Sequence, residues 1–393
     1  MSKIRYILAG SFIDGSGADR RRKVFLEVKD SFITAIGSAA ELPRSDEASI
    51  DDFSYCTVVP ALVDCSVSLT QSPAVDRRSG SSVNKVGMAK KAAMLERHMH
   101  YCHIHGVLGA AASDDLEDLR GYDQQVGAPD NIIAIRTSGR LCRNTQDCPA
   151  VGPAGSDFLK IDYSGNIEDV KPKEPGFSNE DLHRILQHRG GKKAVVIANG
   201  QQEVAEALAA GCDAIEQGYA MGEDNLRKMA ARNVLWIPSV LRARNRLDAA
   251  GSSGDVCCRF STRYVAPGKP VPGAETFWKK MLAEQLSQLR LARKLGVTTA
   301  VGTGAGSIGI LHGESMVEEM KLFIKAGYSL EETIQCASEN GAKFFAMEKL
   351  GTLGVGRPAT FLIGRGMAQQ LPRKLSYLEG IYVDGSPSPV YQK

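Results

Sequence analysis

The apolar run from Val58 to Val63 ends abruptly in Asp64, Cys65, Ser66, Val67 and Ser68. In α/β barrels and open α/β sheets, the carboxyl end of a strand is where reacting groups are mounted. A thiol or hydroxyl there becomes a nucleophile only with a base beside it. His312, in "GILHGES", is the histidine whose place in the chain suits that role. A triad of Ser66 or Ser68 with His312 would have to form across the mouth, and no nucleophile-elbow motif accompanies either serine. Lys160, in "SDFLKIDYSG", offers a second chemistry: a buried amine acting as base, Schiff-base nucleophile or anion anchor. The alternative is a lysine neutralised by a carboxylate such as Asp114 or Glu216, and no partner set for amine catalysis is evident.

"RHMHYCHIHG" places His98, His100, His103 and His105 around Cys102, four of the chain's seven histidines. His98, Cys102 and His105 share a helical face at i, i+4, i+7 spacing. They fall near the end of the first barrel helix, so they are expected at the bottom of a barrel, complementing the helix dipole in a structural role. His183 and His188 fall on a surface-type helix. Cys142 and Cys148 lie on the loop after the third strand, and Cys257 and Cys258 are adjacent in a long loop. Neither pair has zinc-knuckle spacing, so free thiols are expected, with a redox pair as the alternative. The Gly/Ser-rich segments "YSGN" and "VGTGAGSIG" could present backbone N–H groups to a carboxylate or phosphate, although such segments also simply make tight turns.

The elements that would position these residues alternate strand and helix. Strand patterns occur in "TVVPALVD", "GVLGAAA", "NIIAIRTSG", "SDFLKIDYSG", "KAVVIA", "AIEQG", "VLWIPSV" and "VTTAVGTG". Helical patterns lie at 84–104, 114–126, 178–189, 201–210, 222–232, 275–295 and 314–326, with Ser178 as an N-cap and Gly211 and Gly296 at C-caps. Strand–helix units repeated in this way predict a (β/α)8 TIM barrel over residues 59–351. The two ends, 1–58 and 352–393, alternate apolar and polar residues between Gly and Asp-Gly turns, and are expected to pair into one composite β-sandwich domain. The Gly/Pro/Ser-rich stretch "ARNRLDAAGSSGDVCCRFSTRYVAPGKPVPG" reads as a long loop over the mouth.

Composition narrows the function classes. A net charge of +3 over 393 residues is nearly neutral, and the short basic clusters carry no interleaved aromatics, so nucleic acid is not an expected partner. No apolar run approaches bilayer length, and the N-terminus shows no signal-peptide pattern, so neither membrane insertion nor export is expected. Nine cysteines without a tight framework fit reduced thiols in a cytoplasmic protein.

Several stretches in series resemble the metal-dependent amidohydrolase superfamily, near its imidazolonepropionase-like and prolidase-like branch. "VVPALVDCSVSL" is similar to its "vvPGLIDxHxHl", and "AIEQGYAMGEDNLRKMAARNVLWIPSV" to its "xIEHGxxlxxexxxxmaxxgvxxvPT". The resemblance spans essentially the whole chain and implies the same barrel and terminal β-domain. It also implies a metal site of two strand-1 histidines, a carbamylated strand-4 lysine, one histidine each on strands 5 and 6, and a strand-8 aspartate. At those positions stand Ser66, Ser68, Lys160, Ile197, Gln217 and Gly304, so only the lysine matches. Cys65 precedes the first missing histidine, and strand alternation points it away from the mouth. Zinc needs three or four His, Cys or carboxylate ligands, so no metal and no cofactor is expected.

The expected function is that of a degenerate, non-hydrolytic relative binding a small molecule at the barrel mouth. It would work as a homo-oligomer, or beside a catalytic relative. The alternative is a metal-independent enzyme, or a residual hydrolase of C–N bonds other than peptide bonds, with Lys160 and His312 as catalytic candidates. Ser66, Ser68, Lys160, Tyr163, Gln217, Tyr219 and His312 are the expected ligand contacts.

Overall fold

The computed structural model describes residues 4–43, 48–73, 87–114, 133–148, 155–167, 176–250 and 272–391. The chain opens with β1 (Arg5–Phe12), β2 (Arg21–Lys29), β3 (Phe32–Ser38) and β4 (Ser49–Pro60). Ala61 alone separates β4 from the first strand of the second unit, β5 (Leu62–Val67). The parallel strands continue as β6 (Val107–Ala112), β7 (Ala134–Thr137), β8 (Leu159–Asp162), β9 (Ala194–Ala198), β10 (Ala214–Gln217) and β11 (Leu235–Ile237). The chain closes with β12 (Phe361–Gly364), β13 (Leu378–Val383) and β14 (Ser386–Pro387).

Both termini contribute to one seven-stranded sheet, in the order β14-β13-β12-β4-β1-β2-β3. Its alternating pattern buries Ile7, Ala9, Val24, Leu26, Val28, Val58, Phe361 and Ile363 in a core of its own. The sheet curls back on itself. Edge strand β3 meets the segment before β12 through the Phe32–Pro358 bridge and the Ile33 N–H to Arg357 carbonyl bond of 2.9 Å.

The parallel strands form two sheets, β5-β6-β7 and β11-β10-β9-β8. Every residue of β5, β6, β8, β9, β10 and β11 is buried, as expected for parallel strands covered on both faces. The predicted last strand, "VTTAVGTG", forms no regular ladder but stands between the two sheets. Trp236 N–H donates to the Thr298 carbonyl on the β11 side, and Cys65 N–H donates to the Val301 carbonyl on the β5 side. On the opposite flank, Cys142 N–H donates to Lys160 and Asp162 N–H donates to Cys142, tying the segment after β7 to β8. The architecture is a TIM barrel with a small β-domain, linked at these two seams by isolated bridges rather than continuous ladders.

The helices follow the predicted pattern closely: Met88–Ile104, Asn179–Gln187, Gln201–Ala209, Glu223–Arg232, Ala274–Leu295 and Ser315–Lys325. Ser178 and Asp181 form a capping box, and Gly296 closes its helix in the left-handed region at φ 75°. Residues 115–126 of the predicted 114–126 helix and residues 251–271 of the long loop, Cys257 and Cys258 included, lie outside the described residues. One expectation is corrected: "ARNRLDAA" is not loop but part of a helix, Val240–Ala250. Its first N–H groups, on Val240 and Leu241, donate to the buried carboxylate of Glu319 at 2.8 and 2.6 Å. This cap comes from a residue 79 positions away, so no local sequence signal announces it. Among the described residues, no helix is long and apolar enough to cross a membrane.

Candidate functional site

β8 and β10 project Lys160 and Glu216 toward each other, and the two side chains form an ion pair at 2.6 Å. Both are almost fully buried, at 5% and 1% side-chain exposure. From β5, the Ser66 hydroxyl donates to the other Glu216 oxygen at 2.8 Å, and the Lys160 ammonium lies 3.5 Å from that hydroxyl. The lysine therefore ends in a carboxylate, as one of its two sequence readings held, and Glu216 rather than Asp114 supplies it. One turn of the pleat back on β5, buried Asp64 accepts from the Thr303 N–H and hydroxyl and from the Ser66 N–H. Burial, reinforced by the nearby Glu216 charge, pushes its carboxyl up to about 6.

The remaining strand ends are occupied differently. Gln217, at φ 70°, is fully buried, and its amide bonds Asn166, Asn199 and the Ile167 N–H. A non-glycine residue in the left-handed region costs about 1–3 kcal/mol and persists where surrounding bonds over-determine it. The Ile197 carbonyl receives the Tyr163 and Ser164 N–H groups. Gly304, at φ 73°, lies directly beneath the Arg242 guanidinium: a Cβ there would stand 2.7 Å from its Nε and Nη2. A cationic side chain from the helix after β11 thus fills the space above the last barrel segment, and only glycine leaves room for it.

Ser68 is not aimed at this centre. Its hydroxyl donates to Asp114 at 2.7 Å, and the same carboxylate receives the Leu69 and Thr70 N–H groups, fixing the turn after β5. Cys65 points outward, with its sulfur 2.5 Å from where a Cβ on Gly341 would stand. Tyr163 also turns outward, its hydroxyl bonding Glu206 on the Gln201–Ala209 helix. Tyr219 is buried, donating to the Ser239 carbonyl and accepting from the Ala243 N–H. Both tyrosines brace helices, and neither reaches the Lys160 centre.

His312 is 3% exposed rather than open to the mouth. Its Nε2 lies 2.8 Å from the Ser68 carbonyl, and its ring stacks on His98 at 3.7 Å between centroids. Its Nδ1 has no partner among the described residues. Burial first, then the neighbouring His98, hold its imidazole at about 3. This arrangement places His98 above the barrel bottom where the cluster was expected, while the His105 end stays there, the adjoining Gly106 carbonyl accepting from the Leu62 N–H at the start of β5. His98 reaches the Leu69 carbonyl, beyond the upper end of β5, at 2.6 Å, while His103 meets Ser388 of the terminal β-domain at 2.7 Å. About two turns of helix separate the ends of this cluster, so its members serve different neighbours.

The structure thus gathers Ser66 and Lys160 with Glu216, named from the sequence only as a possible partner of Lys160, and with Asp64; Gln217 stands in a second set with Asn166 and Asn199, and Arg242 over Gly304. A charged residue one position before the Gln217 strand end was the available signal for Glu216. Arg242 had none, because it depends on the helix capped by Glu319. Among the described residues, no group of three or more His, Cys, Asp or Glu side chains is placed to hold a metal ion. The donors at the expected positions are two hydroxyls, an amide, an aliphatic chain, a glycine and an ammonium already paired. This set does not fit a divalent ion.

Residues 147–390 match the Amidohydrolase family. Among solved structures, a Xaa-Pro dipeptidase with bound methionine in its active site superposes with TM-score 0.79 at 20% identity, covering 98% of this chain and 100% of that one. The A. niger ochratoxinase gives TM-score 0.78 at 18% identity, covering 98% and 95%. Molinate hydrolase gives 0.74 at 15% identity, covering 99% and 95%. No curated protein matches the chain.

Proposed function

The chain belongs to the amidohydrolase family, and from that premise we propose that it is a metal-free, non-hydrolytic member. In this reading it binds a small molecule at the barrel mouth or serves as the partner of a catalytic relative, in a cytoplasmic setting. One observation carries the proposal: the Lys160 ammonium is paired with Glu216 and Ser66. Carbamylation consumes a free amine, and a lysine held as an ammonium at 2.6 Å from a carboxylate has no lone pair to offer carbon dioxide. The cation that the family draws from solution is here a side chain. With Ser66, Gln217 and Gly304 at three of the other ligand positions, the centre is satisfied by its own hydrogen bonds.

The same bonds weigh against a repurposed amine or imidazole enzyme. The Lys160 amine is engaged by Glu216, and the His312 ring by His98 and the Ser68 carbonyl. The other groups around the centre are polar: the amides of Asn166, Asn199 and Gln217, bonded to one another, and the Arg242 guanidinium over Gly304.

Untagged protein, treated with chelator or loaded with zinc or manganese, tests the proposal against dipeptides, N-acyl amino acids and cyclic amides. The expected result is no turnover in either state. Turnover that appears with metal and disappears with chelator would overturn the proposal.

A further inference from the structure

Cys142 and Cys148 are both buried, at 0% and 5% exposure, yet they lie on a short loop whose Arg143, Thr145 and Gln146 are exposed. The loop is folded back on itself by local bonds. The Asn144 side-chain oxygen accepts from the Gln146 and Asp147 N–H groups at 3.0 and 2.9 Å, and Arg140 pairs with Asp147 at 3.2 Å. That fold carries the Cys142 sulfur to 3.7 Å from the Asp147 carbonyl, whose next residue is Cys148, so the two sulfurs are neighbours. Cys142 is simultaneously fixed by its backbone, with its N–H on the Lys160 carbonyl and its carbonyl on the Asp162 N–H.

We propose that Cys142 and Cys148 form a reversible redox pair that low-molecular-weight disulfides of the glutathione class oxidise to an intraloop disulfide. The roles of the two sulfurs differ. Cys142 is 0% exposed and held by its backbone against Lys160 and Asp162, whereas Cys148 is 5% exposed, the sulfur an incoming disulfide reaches first, and its thiol is held below the ordinary range by its neighbour Cys142. Cys148 is therefore the attacking thiol. Its thiolate, having lost a proton to solvent, attacks one sulfur of glutathione disulfide. A mixed disulfide forms and the first glutathione leaves as a thiolate, which takes up a proton. Cys142 then gives up its proton and attacks the Cys148 sulfur, breaking the mixed disulfide and releasing the second glutathione thiol. Two protein thiols are oxidised and one glutathione disulfide is reduced to two thiols.

The other buried thiols provide internal controls. Burial pushes Cys65, Cys102, Cys212 and Cys336 upward, Cys212 and Cys336 to about 12. Cys336 meets the Thr299 hydroxyl and the Asn340 amide rather than another sulfur. Because Cys142 is one backbone bond from Lys160, the disulfide would lock the loop to the strand that carries the barrel's central ion pair.

The test incubates the folded, full-length chain in glutathione buffers of graded oxidation, traps remaining thiols with an alkylating agent, and maps the peptides by mass spectrometry. The expected product is a peptide pair linked Cys142–Cys148, lighter by two hydrogens and restored by dithiothreitol. Cys142→Ser should leave Cys148 trapped as a glutathione mixed disulfide, and Cys148→Ser should leave Cys142 unmodified under the same buffers. Circular dichroism confirms that each variant is folded. If both thiols of the folded wild type are alkylated at every glutathione ratio, or if Cys142 is glutathionylated as readily without Cys148 as with it, the proposal is wrong. A linkage of either cysteine to Cys257 or Cys258 instead would equally overturn it.

Discussion

Replacing Lys160 with methionine removes the one cation that pairs with the Glu216 carboxylate among the described residues. At 2.6 Å, two unit charges attract by about 6 kcal/mol at an effective dielectric of ~20. Removing both ions from water costs several kcal/mol each, so the intact pair is worth little net stability against an apolar substitute. The asymmetry appears when one partner is lost. Lys160→Met leaves a carboxylate that is 1% exposed with only the Ser66 hydroxyl, and such lesions cost about 3–5 kcal/mol. Glu216→Leu leaves the ammonium equally stranded. The double variant Lys160→Met/Glu216→Leu should recover most of the loss, coming within about 1–2 kcal/mol of wild type. Urea unfolding followed by Trp236 fluorescence gives all four stabilities and closes the double-mutant cycle. The reasoning is refuted if either single variant is as stable as wild type, or if the double variant is no better than the worse single one.

Three further outcomes follow from the same geometry. Gly304→Ala should destabilise by about 1–3 kcal/mol, since it forces a side chain into the left-handed region and onto the Arg242 guanidinium; an unchanged urea midpoint would contradict this. His312 is neutral when folded, with its imidazole at about 3, but takes up a proton below its ordinary 6.5 once unfolded. The stability it confers is present above pH 6.5 and is lost toward pH 3, at roughly 1.4 kcal/mol per pH unit, so wild type should weaken relative to His312→Phe as pH falls. Glu319 has the opposite sign. Burial pushes its carboxyl up to about 8 from an ordinary 4.5, so the folded chain holds more protons than the unfolded one across that window. Stability should fall as pH rises from 4.5 to 8, and Glu319→Gln should flatten that slope in pH-dependent thermal melts.

The barrel was legible because parallel strands bury both faces, and runs such as "KAVVIA" or "GVLGAAA" have no other use. Caps made by neighbours, such as Ser178 with Asp181, were equally visible. What stayed hidden was made by residues far apart in the chain. The Val240–Ala250 helix needs Glu319, and Arg242 reaches the mouth only because that helix exists. His312 looked like a mouth residue from its place after the last barrel segment, yet stacking on His98 buries it. Tyr163 and Tyr219 sit at strand ends, but their hydroxyls find partners on helices, and sequence spacing carries no information about that rotamer choice. For Lys160 the sequence left two readings open, and the pairing with Glu216 depends on the register that sets β8 and β10 facing across the barrel.

The central claim is that an internal ion pair has replaced a metal. It is tested most directly on untagged protein purified without added metal, by elemental mass spectrometry and by melting with and without chelator or zinc. A resident ion that binds only the folded chain raises the melting temperature by mass action, and its removal lowers it. The account predicts transition metal far below one equivalent and a melting temperature that neither chelator nor zinc moves. About one equivalent or more of zinc, manganese or iron, with a melting temperature that falls when it is stripped, would contradict it.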